Sequence, residues 1–540
     1  MKQTNTKTIF WIPVIVLFLI GFLLGIIGFL ILGKNLGDSI YSTVQVFMLH
    51  HEFIKINSCL GVSRWILLFV FVVAAFQLFI IIVAPRIVSY IQIWIYYKNH
   101  IIICGLNKMT INLVEKHKEK QIIVLAEETN KYAESLKAKN VKLLIGDFTD
   151  KYFWWKAKLK RTSKLYAIID NDKMNVKIAE AAFSYLKSKK KESNVLKCFV
   201  LINDHELKLI LEESALFKND VDYCKFILFN INEMGTKYGI TNNIDKILPA
   251  KMLISPEILI VGLTPKTEMA LLNLAHCLTM QRETFKFTIE EKDADKIIWF
   301  EQRCKKLHLR EFAEIEISNN DLEKICTEKT FTSILVCVEN QTEAIKQAVE
   351  TYYLLGENAP NIILFCNDAD TFNTVLKDEL KREKIFPIIL FEEIADYIFA
   401  LDKHIEDKAK EAHHFWNIIY KMNQEWDAIS EPFKQSNRNQ ILDNYVRTYI
   451  AFGEKFDNIK NRLISFSDYD RETLAMIEHR RWMLEKYAEN WTYGKRDKEN
   501  GDPYKRHDCM LHWEELSEEQ KPKDYDAIDL MIKLLNNQAR

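Results

Sequence analysis

The chain has 540 residues, of which 48% are hydrophobic and 27% charged, and its formal net charge is −1 at pH 7. This length leaves room for roughly three or four domains. The near-zero net charge argues against the strongly basic surface that binds nucleic acid, so no nucleic-acid partner is expected. The ten cysteines contain no Cys-x-x-Cys pair, and all except Cys59 follow the second apolar segment. This distribution suits a reducing cytosol.

Two apolar segments, Thr8–Leu32 and Trp65–Ala84, are each long enough to cross a bilayer, which takes about 20 residues. Lys2 and Lys7 precede the first segment, as they would in a signal peptide. Its apolar core exceeds the roughly 7–15 residues of a signal peptide, however, and no small-residue cleavage site follows cleanly. The sequence therefore predicts two spanning helices in contact with the lipid bilayer.

Basic residues around these segments predict the orientation. Lys34, Lys55 and Arg64 lie between the segments, whereas more basic residues flank the outer ends. This bias places both termini and the soluble bulk on the cytoplasmic side of an inner membrane, as a multi-pass protein. The residues after the second segment that carry the bias are Arg86, Lys98, Lys108, Lys116, Lys118 and Lys120.

The segment Asp38–Leu49, between the two predicted spans, is apolar enough to re-enter the membrane as a short helix. A span, a re-entrant helix and a second span resemble the pore unit of two-span potassium channels. No Thr-Val-Gly-Tyr-Gly-like filter follows, so potassium selectivity is not predicted. The alternative is a surface amphipathic helix between two plain anchors. The resemblance assigns to the conducting path the pore-region residues Tyr41, Thr43, Gln45, Phe47 and Gln77.

From His100 onwards, apolar runs alternate with amphipathic helical patterns, which predicts a parallel sheet covered by helices on both faces. No Gly/Ser-rich linker separates this region from the second span, so movement of the soluble part could be transmitted mechanically to the membrane. The predicted strands are Ile101–Cys104, Gln121–Ala126, Val141–Ile145, Leu165–Ile169, Cys198–Ile202 and Lys225–Phe229.

The turn after the first strand keeps only the first glycine of the dinucleotide-binding fingerprint G-x-G-x-x-G. The residues at this and the following strand ends resemble those of the RCK (TrkA-N) domain, over roughly residues 99–248. The resemblance implies a crevice that binds a nucleotide or an ion, or that serves only as a scaffold. Side chains stand at two positions that are glycines in the fingerprint, where they would hinder close approach of a pyrophosphate. The candidate nucleotide-binding residues are Gly105, Asn107, Glu127, Asp147 and Asp170.

The chain then repeats itself after about 160 residues, so that residues 258–267 echo residues 101–110. Residues 362–370 and 387–393 likewise echo 199–206 and 226–233. A repeat of one whole domain indicates a tandem pair. The second copy has lost most of its turn glycines, which predicts that it packs against the first copy rather than binding a ligand.

The C-terminal segment, after a wholly helical stretch, carries the most specific motifs: residues 474–482, 491–497, 507–511, 513–516 and 523–524. They resemble the RyR domain, the small helical repeat of ryanodine receptors. Its tryptophans could stack on a base, and Arg480, Arg481, Lys495 and Arg496 could bind phosphate. The alternative is that the aromatic residues only build the core. The candidate ligand-binding residues are His479, Trp482, Trp491, Tyr493, Arg496, His507 and Trp513.

Zinc is not expected at His507, Cys509 and His512, because no fourth ligand follows at a usable spacing, and no other metal site is predicted. No catalytic residues are predicted either. A dehydrogenase-like enzyme is disfavoured because both copies lack glycines of the dinucleotide-binding fingerprint. Measured hydride transfer from added NAD(P)H would support that alternative.

These observations predict a membrane α-helical part with two α/β Rossmann-like RCK domains and an all-α RyR domain. The predicted boundaries are 1–98, 99–250, 251–400, 401–466 (a helical linker) and 467–540. The combined resemblances imply a ligand-gated, channel-like homotetramer that senses a nucleotide-type molecule: NAD- or ADP-ribose-like, or a cyclic nucleotide. By analogy alone they also suggest a role in antiviral defence. The alternative is a non-conducting membrane-anchored sensor or scaffold.

Overall fold

The structure is a computed structural model that describes residues 4–48, 50, 55–82, 91, 93–139, 141–189, 195–218, 223–250, 254–369, 372, 383–401, 404–459, 463–497 and 502–538. It divides into two compact units, Met1–Tyr97 and Lys98–Arg540. The join predicted to couple the second span to the soluble part includes residues 83–90 and 92, which lie outside the described residues.

The first unit is a helical hairpin with a short helix between its arms. Its helices are α1 (Thr4–Ile31), α2 (Leu36–Phe47) and α3 (Ser58–Ile82). In α1 and α3, the windows Val14–Ile31 and Ser58–Phe76 have mean hydropathies of 3.2 and 2.3, enough by length and composition to cross a membrane. The two predicted apolar helices are therefore confirmed as helices of spanning length.

A row of glycines on α1 lets the arms of the hairpin approach closely. A methyl group added at Gly28 would lie 2.5 Å from Leu60 Cγ and 3.0 Å from the Leu60 backbone nitrogen. The Ser63 hydroxyl donates a hydrogen bond to the Gly21 carbonyl oxygen at 2.6 Å, across the same contact. Small residues and such polar contacts hold helices together where lipid offers no hydrophobic driving force.

We expect Gly28→Ala to destabilise the hairpin by about 1–3 kcal/mol, because the contact with Leu60 leaves no room for the new methyl group. Gly61→Ala on α3 is the matched control, since its nearest neighbour is Ile56 Cγ2 at 3.9 Å. Thermal unfolding of the detergent-solubilised protein measures the difference. Equal melting temperatures for the two variants would contradict this account of the packing.

Helix α2 begins at a polar cap, where the Asn35 side chain accepts a hydrogen bond from the Asp38 N–H. One face, including Ser39, Thr43 and Val46, is buried within this unit. The hydroxyl of Thr43 donates to the Ser39 carbonyl oxygen at 2.7 Å. Thr43 therefore packs inside the hairpin of a single chain.

The other predicted pore-region residues have different surroundings. Tyr41 is 65% exposed, whereas Gln45 is half-buried. The Phe47 ring meets Phe18 edge-on, with 5.2 Å between centroids. Gln77 lies in α3, but its side chain falls outside the described residues. Their assignment to a conducting path stays a prediction.

The second unit begins with a six-stranded parallel sheet in the order β3-β2-β1-β4-β5-β6. Buried Ile, Val and Leu fill its central strands, as expected for a sheet covered on both faces. The prediction of this sheet is confirmed, with β4 beginning three residues earlier than predicted. Its strands are β1 (His100–Cys104), β2 (Ile122–Ala126), β3 (Lys142–Ile145), β4 (Thr162–Ala167), β5 (Leu196–Leu201) and β6 (Cys224–Phe229). Its helices are α4 (Lys108–Lys116), α5 (Tyr132–Ala138), α6 (Lys151–Lys156), α7 (Asp172–Lys189), α8 (His205–Glu212) and α9 (Ala215–Lys218).

A second parallel sheet follows in the equivalent order, β12-β11-β10-β7-β8-β9, which confirms the tandem repeat of Rossmann-like folds. Its strands are β7 (Glu257–Val261), β8 (Lys286–Glu290), β9 (Glu314–Ser318), β10 (Ser333–Val336), β11 (Asn361–Cys366) and β12 (Ile385–Ile389). The helices from the end of the first fold to the end of the second are α10 (Thr236–Asn242), α11 (Ile244–Ile247), α12 (Pro265–Leu274), α13 (Ala294–Leu307), α14 (Leu309–Phe312), α15 (Leu322–Glu328), α16 (Gln341–Leu355) and α17 (Leu390–Leu401).

We call the Rossmann-like fold around β1–β6 the first nucleotide fold and the one around β7–β12 the second. The two folds exchange one helix each. Helix α10 follows β6 but buries Ile240 in the core of the second fold, together with Ile258. Helix α17 follows β12 but buries Ile394 and Ile398 in the core of the first fold, together with Leu113. Each fold therefore completes the hydrophobic core of the other.

The C-terminal part packs on the second fold, and the two share one hydrophobic core, with Leu474 and Met531 in the same cluster as Phe312. A two-residue parallel strand pair, β13 (Thr492–Tyr493) and β14 (Arg506–His507), interrupts the predicted all-α domain. The helices are α18 (His404–Tyr420), α19 (Glu431–Phe452), α20 (Asp468–Ala488) and α21 (Pro522–Gln538).

Arg480 and Arg481, which the sequence suggested for phosphate binding, are bound to other groups of the protein. The Arg480 Nε donates to the carbonyl oxygen of His276 at 2.9 Å, and its guanidinium lies over the Phe312 ring. Arg481 is paired with Glu478 at 2.9 Å. Arg480 thus joins α20 to the second nucleotide fold, and neither arginine lines the larger of the two cavities described below.

A buried ion network joins α19 to both neighbours. Arg447 is fully buried and contacts Glu478 on α20, and its Nε lies 3.3 Å from Asp443 Oδ2. Asp443 Oδ1 lies 2.8 Å from His276 Nε2 of the second fold. Burial alone would raise the pKa of Asp443, but His276 and Arg447 hold it well below its usual range. The network therefore keeps Asp443 ionised within the core.

Candidate ligand-binding site

A cavity of about 580 Å³ lies where the C-terminal domain meets the first nucleotide fold and the start of α19. Small-molecule sites typically enclose about 300–1,000 Å³. The first fold lines it with α8 and β6, the linker with residues around Phe433, and the C-terminal domain with aromatic and basic side chains. Those C-terminal residues are Trp482, Lys486, Glu489, Trp491, Arg496, Lys505, His507 and Lys523.

The aromatic side of this cavity is built on the end of α20 and on the strand pair. Trp482 projects from α20, and the His507 ring, on β14, meets it edge-on with 4.8 Å between centroids. Trp491 immediately precedes β13, and the Lys486 ammonium lies over it at 5.5 Å. Half-buried indole rings of this kind offer faces on which a flat heterocycle can stack.

Most cations around the cavity already have carboxylate partners. Lys486 Nζ lies 2.6 Å from Glu489 Oε2, and Lys505 Nζ lies 3.4 Å from Glu213 Oε1. Arg496 likewise pairs with Asp502, at 3.5 Å. All three cations therefore have a carboxylate partner, and Arg496 lines the same cavity as the indole rings.

Two details favour Arg496 and Lys523 as the residues that would bind an anionic ligand. Within the part of the chain that the structure describes, the buried Arg496 Nε has no hydrogen-bond partner, and Lys523 forms no ion pair. Lys523 instead lies over the Tyr420 ring at 5.4 Å. A guanidinium pairs bidentately with phosphate oxygens, as it does with carboxylates.

His507 is a neutral member of the site. Burial, assisted by the charge of Arg496, lowers the pKa of His507 to about 4. Its Nδ1 accepts a hydrogen bond from the Cys509 N–H at 3.0 Å, so at neutral pH the ring proton resides on Nε2. Asp508 and Cys509 offer further ligand atoms within 4.8 Å, but the bond to Nδ1 already occupies that nitrogen, and we propose no metal here.

A smaller cavity of about 360 Å³ adjoins the first and shares Trp482 and His507 with it. His479 lines this second cavity, with Nδ1 at 3.2 Å from Asp524 Oδ2 and Nε2 at 2.8 Å from the Leu511 carbonyl oxygen. Burial alone would lower the pKa of His479, but Asp524 raises it above its usual value. Both ring nitrogens of His479 are thus bound to acceptors of the protein itself.

The structure brings together only part of the residue set predicted from sequence. Trp482, Trp491, Arg496 and His507 line the larger cavity, and His479 the smaller. The side chains of two others lie away from both: Tyr493 is 59% exposed, and Trp513 is buried, with its Nε1 donating to Glu472. Sequence reasoning missed Lys208, Glu212 and Phe433, because no local pattern shows that their elements meet the C-terminal domain.

The candidate residues of the first nucleotide fold lie at the carboxyl ends of β1 to β4. Gly105 has φ of +123°, and a Cβ there would lie 3.1 Å from the Ile168 carbonyl oxygen. Asn107 caps α4, and its Nδ2 donates to the same oxygen at 2.6 Å. Its side chain thus bridges β1 and β4 at the point where the strand order reverses, the position of ligands in such sheets.

The remaining candidates of this crevice are carboxylates. Glu127 and Asp170 are exposed. Asp147 accepts hydrogen bonds from the Thr149 N–H and hydroxyl, which lower the pKa of Asp147. The crevice therefore keeps exposed carboxylates, while Asn107 fills the space over its turn.

The second fold repeats this turn in a more closed form. The Thr264 hydroxyl donates to the Cys337 carbonyl oxygen at 2.6 Å, as Asn107 does in the first fold. The Leu263 N–H donates to Glu291 Oε2 at 3.0 Å. An amide that could face a phosphate is thus bound by the protein's own carboxylate, in keeping with the predicted packing role of this copy.

Comparison with known proteins identifies two domains. Residues 101–219 match the family model of the TrkA-N domain, and residues 457–538 match that of the RyR domain. The chain therefore contains a TrkA-N (RCK) domain, whose fold is the first nucleotide fold described above, and a C-terminal RyR domain. No curated protein matches the chain.

Among solved structures, GsuK bound to ADP is 14% identical, with a TM-score of 0.38 over 74% of this chain and 100% of that chain. The GsuK channel bound to NAD is 11% identical, with a TM-score of 0.38 over 75% and 85%. A dipicolinate synthase polypeptide from Bacillus halodurans is 10% identical, with a TM-score of 0.20 over 56% and 97%.

Proposed function

Because this chain carries a TrkA-N domain, an RyR domain and two apolar helices of spanning length, we propose that it is a ligand-gated, channel-like membrane protein. Its soluble unit is cytoplasmic and senses a nucleotide-type small molecule, acting as a regulator rather than an enzyme. It assembles as a homotetramer in the inner membrane, with both termini inside. A role in antiviral defence stays a prediction from the RyR resemblance.

The observation that carries the sensing role is the cavity of about 580 Å³ between the RyR domain and the first nucleotide fold. It combines two indole rings with Arg496, whose Nε has no partner among the described residues. A base stacked on the indoles and a phosphate at Arg496 would satisfy both features.

A ligand changes the state of the membrane helices only if it binds one state more tightly than the other. A cavity shared by two domains meets this condition, because its shape depends on how they are placed against each other. A coupling of about 1–3 kcal/mol per subunit is typical of such systems and suffices in a tetramer.

The proposal is tested by ion flux from liposomes that contain the full chain, loaded with potassium or sodium. ADP-ribose, NAD and a 3′,5′-cyclic nucleotide are added in turn to the face that carries the soluble unit. We expect one of them to change the flux in wild type and to leave it unchanged in Trp482→Ala. Nucleotide binding without flux in any arm would favour the non-conducting sensor or scaffold instead.

A further inference from the structure

Two carboxylates face the cavity from opposite sides of the seam between the first nucleotide fold and the RyR domain. Glu212 is the last residue of α8, and Glu489 caps the end of α20. Each has a lysine on its own side: Lys208 Nζ lies 3.5 Å from Glu212, and Lys486 Nζ lies 2.6 Å from Glu489.

Among the residues that the structure describes, Lys208 and Lys486 are the only side-chain donors that contact these carboxylates. Burial raises the pKa of Glu212, and the charge of Glu489 raises it further. Burial likewise raises the pKa of Glu489. Each carboxylate accepts about four hydrogen bonds when fully satisfied. Both carboxyl groups would therefore gain from a ligand that donates O–H groups.

The ribose hydroxyls of a nucleotide supply such donors. In dinucleotide-binding folds a carboxylate accepts a hydrogen bond from the ribose 2′-hydroxyl, but there it belongs to the turn region of one sheet. Here the two acceptors belong to different domains. In the same cavity, Trp482 and Trp491 offer a position for the base, and Arg496 offers one for the phosphate.

We propose that Glu212 and Glu489 bind the sugar hydroxyls of a ribonucleotide whose base stacks on Trp482 and Trp491 and whose phosphate pairs with Arg496. The inference rests on the proposed nucleotide-sensing function and adds a requirement for ribose. It also makes the ligand a bridge, because its sugar ties the RyR domain to α8 of the first fold.

Helix α8 connects this bridge to the exchanged segment. Lys208, one turn before Glu212, is buried and pairs with Glu233 at 2.8 Å. Glu233 lies in the helical turn Ile231–Gly235, which leads directly into α10, the helix that packs in the second fold. A ligand that draws Glu212 towards Glu489 thus acts on the element that joins the two nucleotide folds.

The test is calorimetric titration of the full chain in detergent with ADP, 2′-deoxy-ADP and 3′-deoxy-ADP. We expect wild type to bind ADP at least about tenfold more tightly than one deoxy analogue, as the loss of a hydrogen bond to a carboxylate implies. At least one of Glu212→Gln and Glu489→Gln should reduce this ratio, because each variant removes a charged acceptor for the sugar hydroxyls. Glu180→Gln, an exposed carboxylate of α7, is the matched control and should keep the ratio.

Equal affinity of wild type for ADP and both analogues would overturn the inference, as would a ratio that neither cavity variant reduces. In both cases, the proposed function would still be supported if Trp482→Ala weakened the binding of ADP. Failure of wild type to bind ADP at all would overturn the assignment of the sugar site and remove the support that this cavity gives to nucleotide sensing.

Discussion

Replacing Arg447 with methionine is expected to destabilise the second unit by about 3–5 kcal/mol, the typical cost of removing one partner of a buried ion pair. Arg447 is completely buried and contacts both Asp443 and Glu478. Without its guanidinium, the negative charges of these carboxylates would remain in the core with less compensation, and removing charge from water without a partner is costly.

Urea unfolding of the full chain in detergent, followed by tryptophan fluorescence, measures this loss. Lys346→Met is the control, because Lys346 is 60% exposed and its carboxylate neighbours lie 3.8 and 3.9 Å away. An exposed pair of this kind contributes about 0–1 kcal/mol. Similar losses for Arg447→Met and Lys346→Met would show that the network does not hold these domains together.

Replacing Trp482 with alanine is expected to abolish the rise in melting temperature that a nucleotide ligand produces. Trp482 lines both cavities, and its ring contacts His507 edge-on. Loss of one stacked base costs about 1–3 kcal/mol, which is roughly a 5- to 150-fold loss of affinity. We expect Arg496→Ala to weaken binding as well, through the phosphate.

A thermal-shift screen of the full chain against dinucleotides, cyclic nucleotides and ADP-ribose derivatives makes this measurement. Tyr504→Ala is the control for removal of an aromatic ring, because Tyr504 is 71% exposed and does not line either cavity. If binding survives Trp482→Ala and Arg496→Ala but is lost in Asn107→Ala or Glu127→Ala, the sensor is the crevice of the first nucleotide fold.

The strands and the duplication were predictable because their signals are local. Apolar runs such as 101–104 and 258–261 are typical in length of buried strands, and their alternation with amphipathic helices indicates a parallel sheet. The polar turn of each copy is equally local. Asn107 and Thr264 each stand just before an amphipathic helix, where a side-chain cap is favoured.

The long-range arrangement was not predictable from the same patterns. Arg480 and Arg496 are both arginines near tryptophans, yet one is bonded to carbonyl oxygens of the second fold and the other faces a cavity. The difference depends on which domain packs against α20. Similarly, Glu212 is one of many helical glutamates in sequence, and only the meeting of α8 with the RyR domain gives it a place in the site.

Because α10 and α17 are exchanged, neither nucleotide fold has a complete hydrophobic core of its own, although each has its own sheet. A gene fragment ending between them would leave the apolar side of α10 bare and would deprive the first core of Ile394 and Ile398. Such a fragment would expose apolar surface and would be prone to aggregate, instead of folding as an independent domain. The reciprocal arrangement is the one expected when two subunits of a symmetric dimer are joined into one chain.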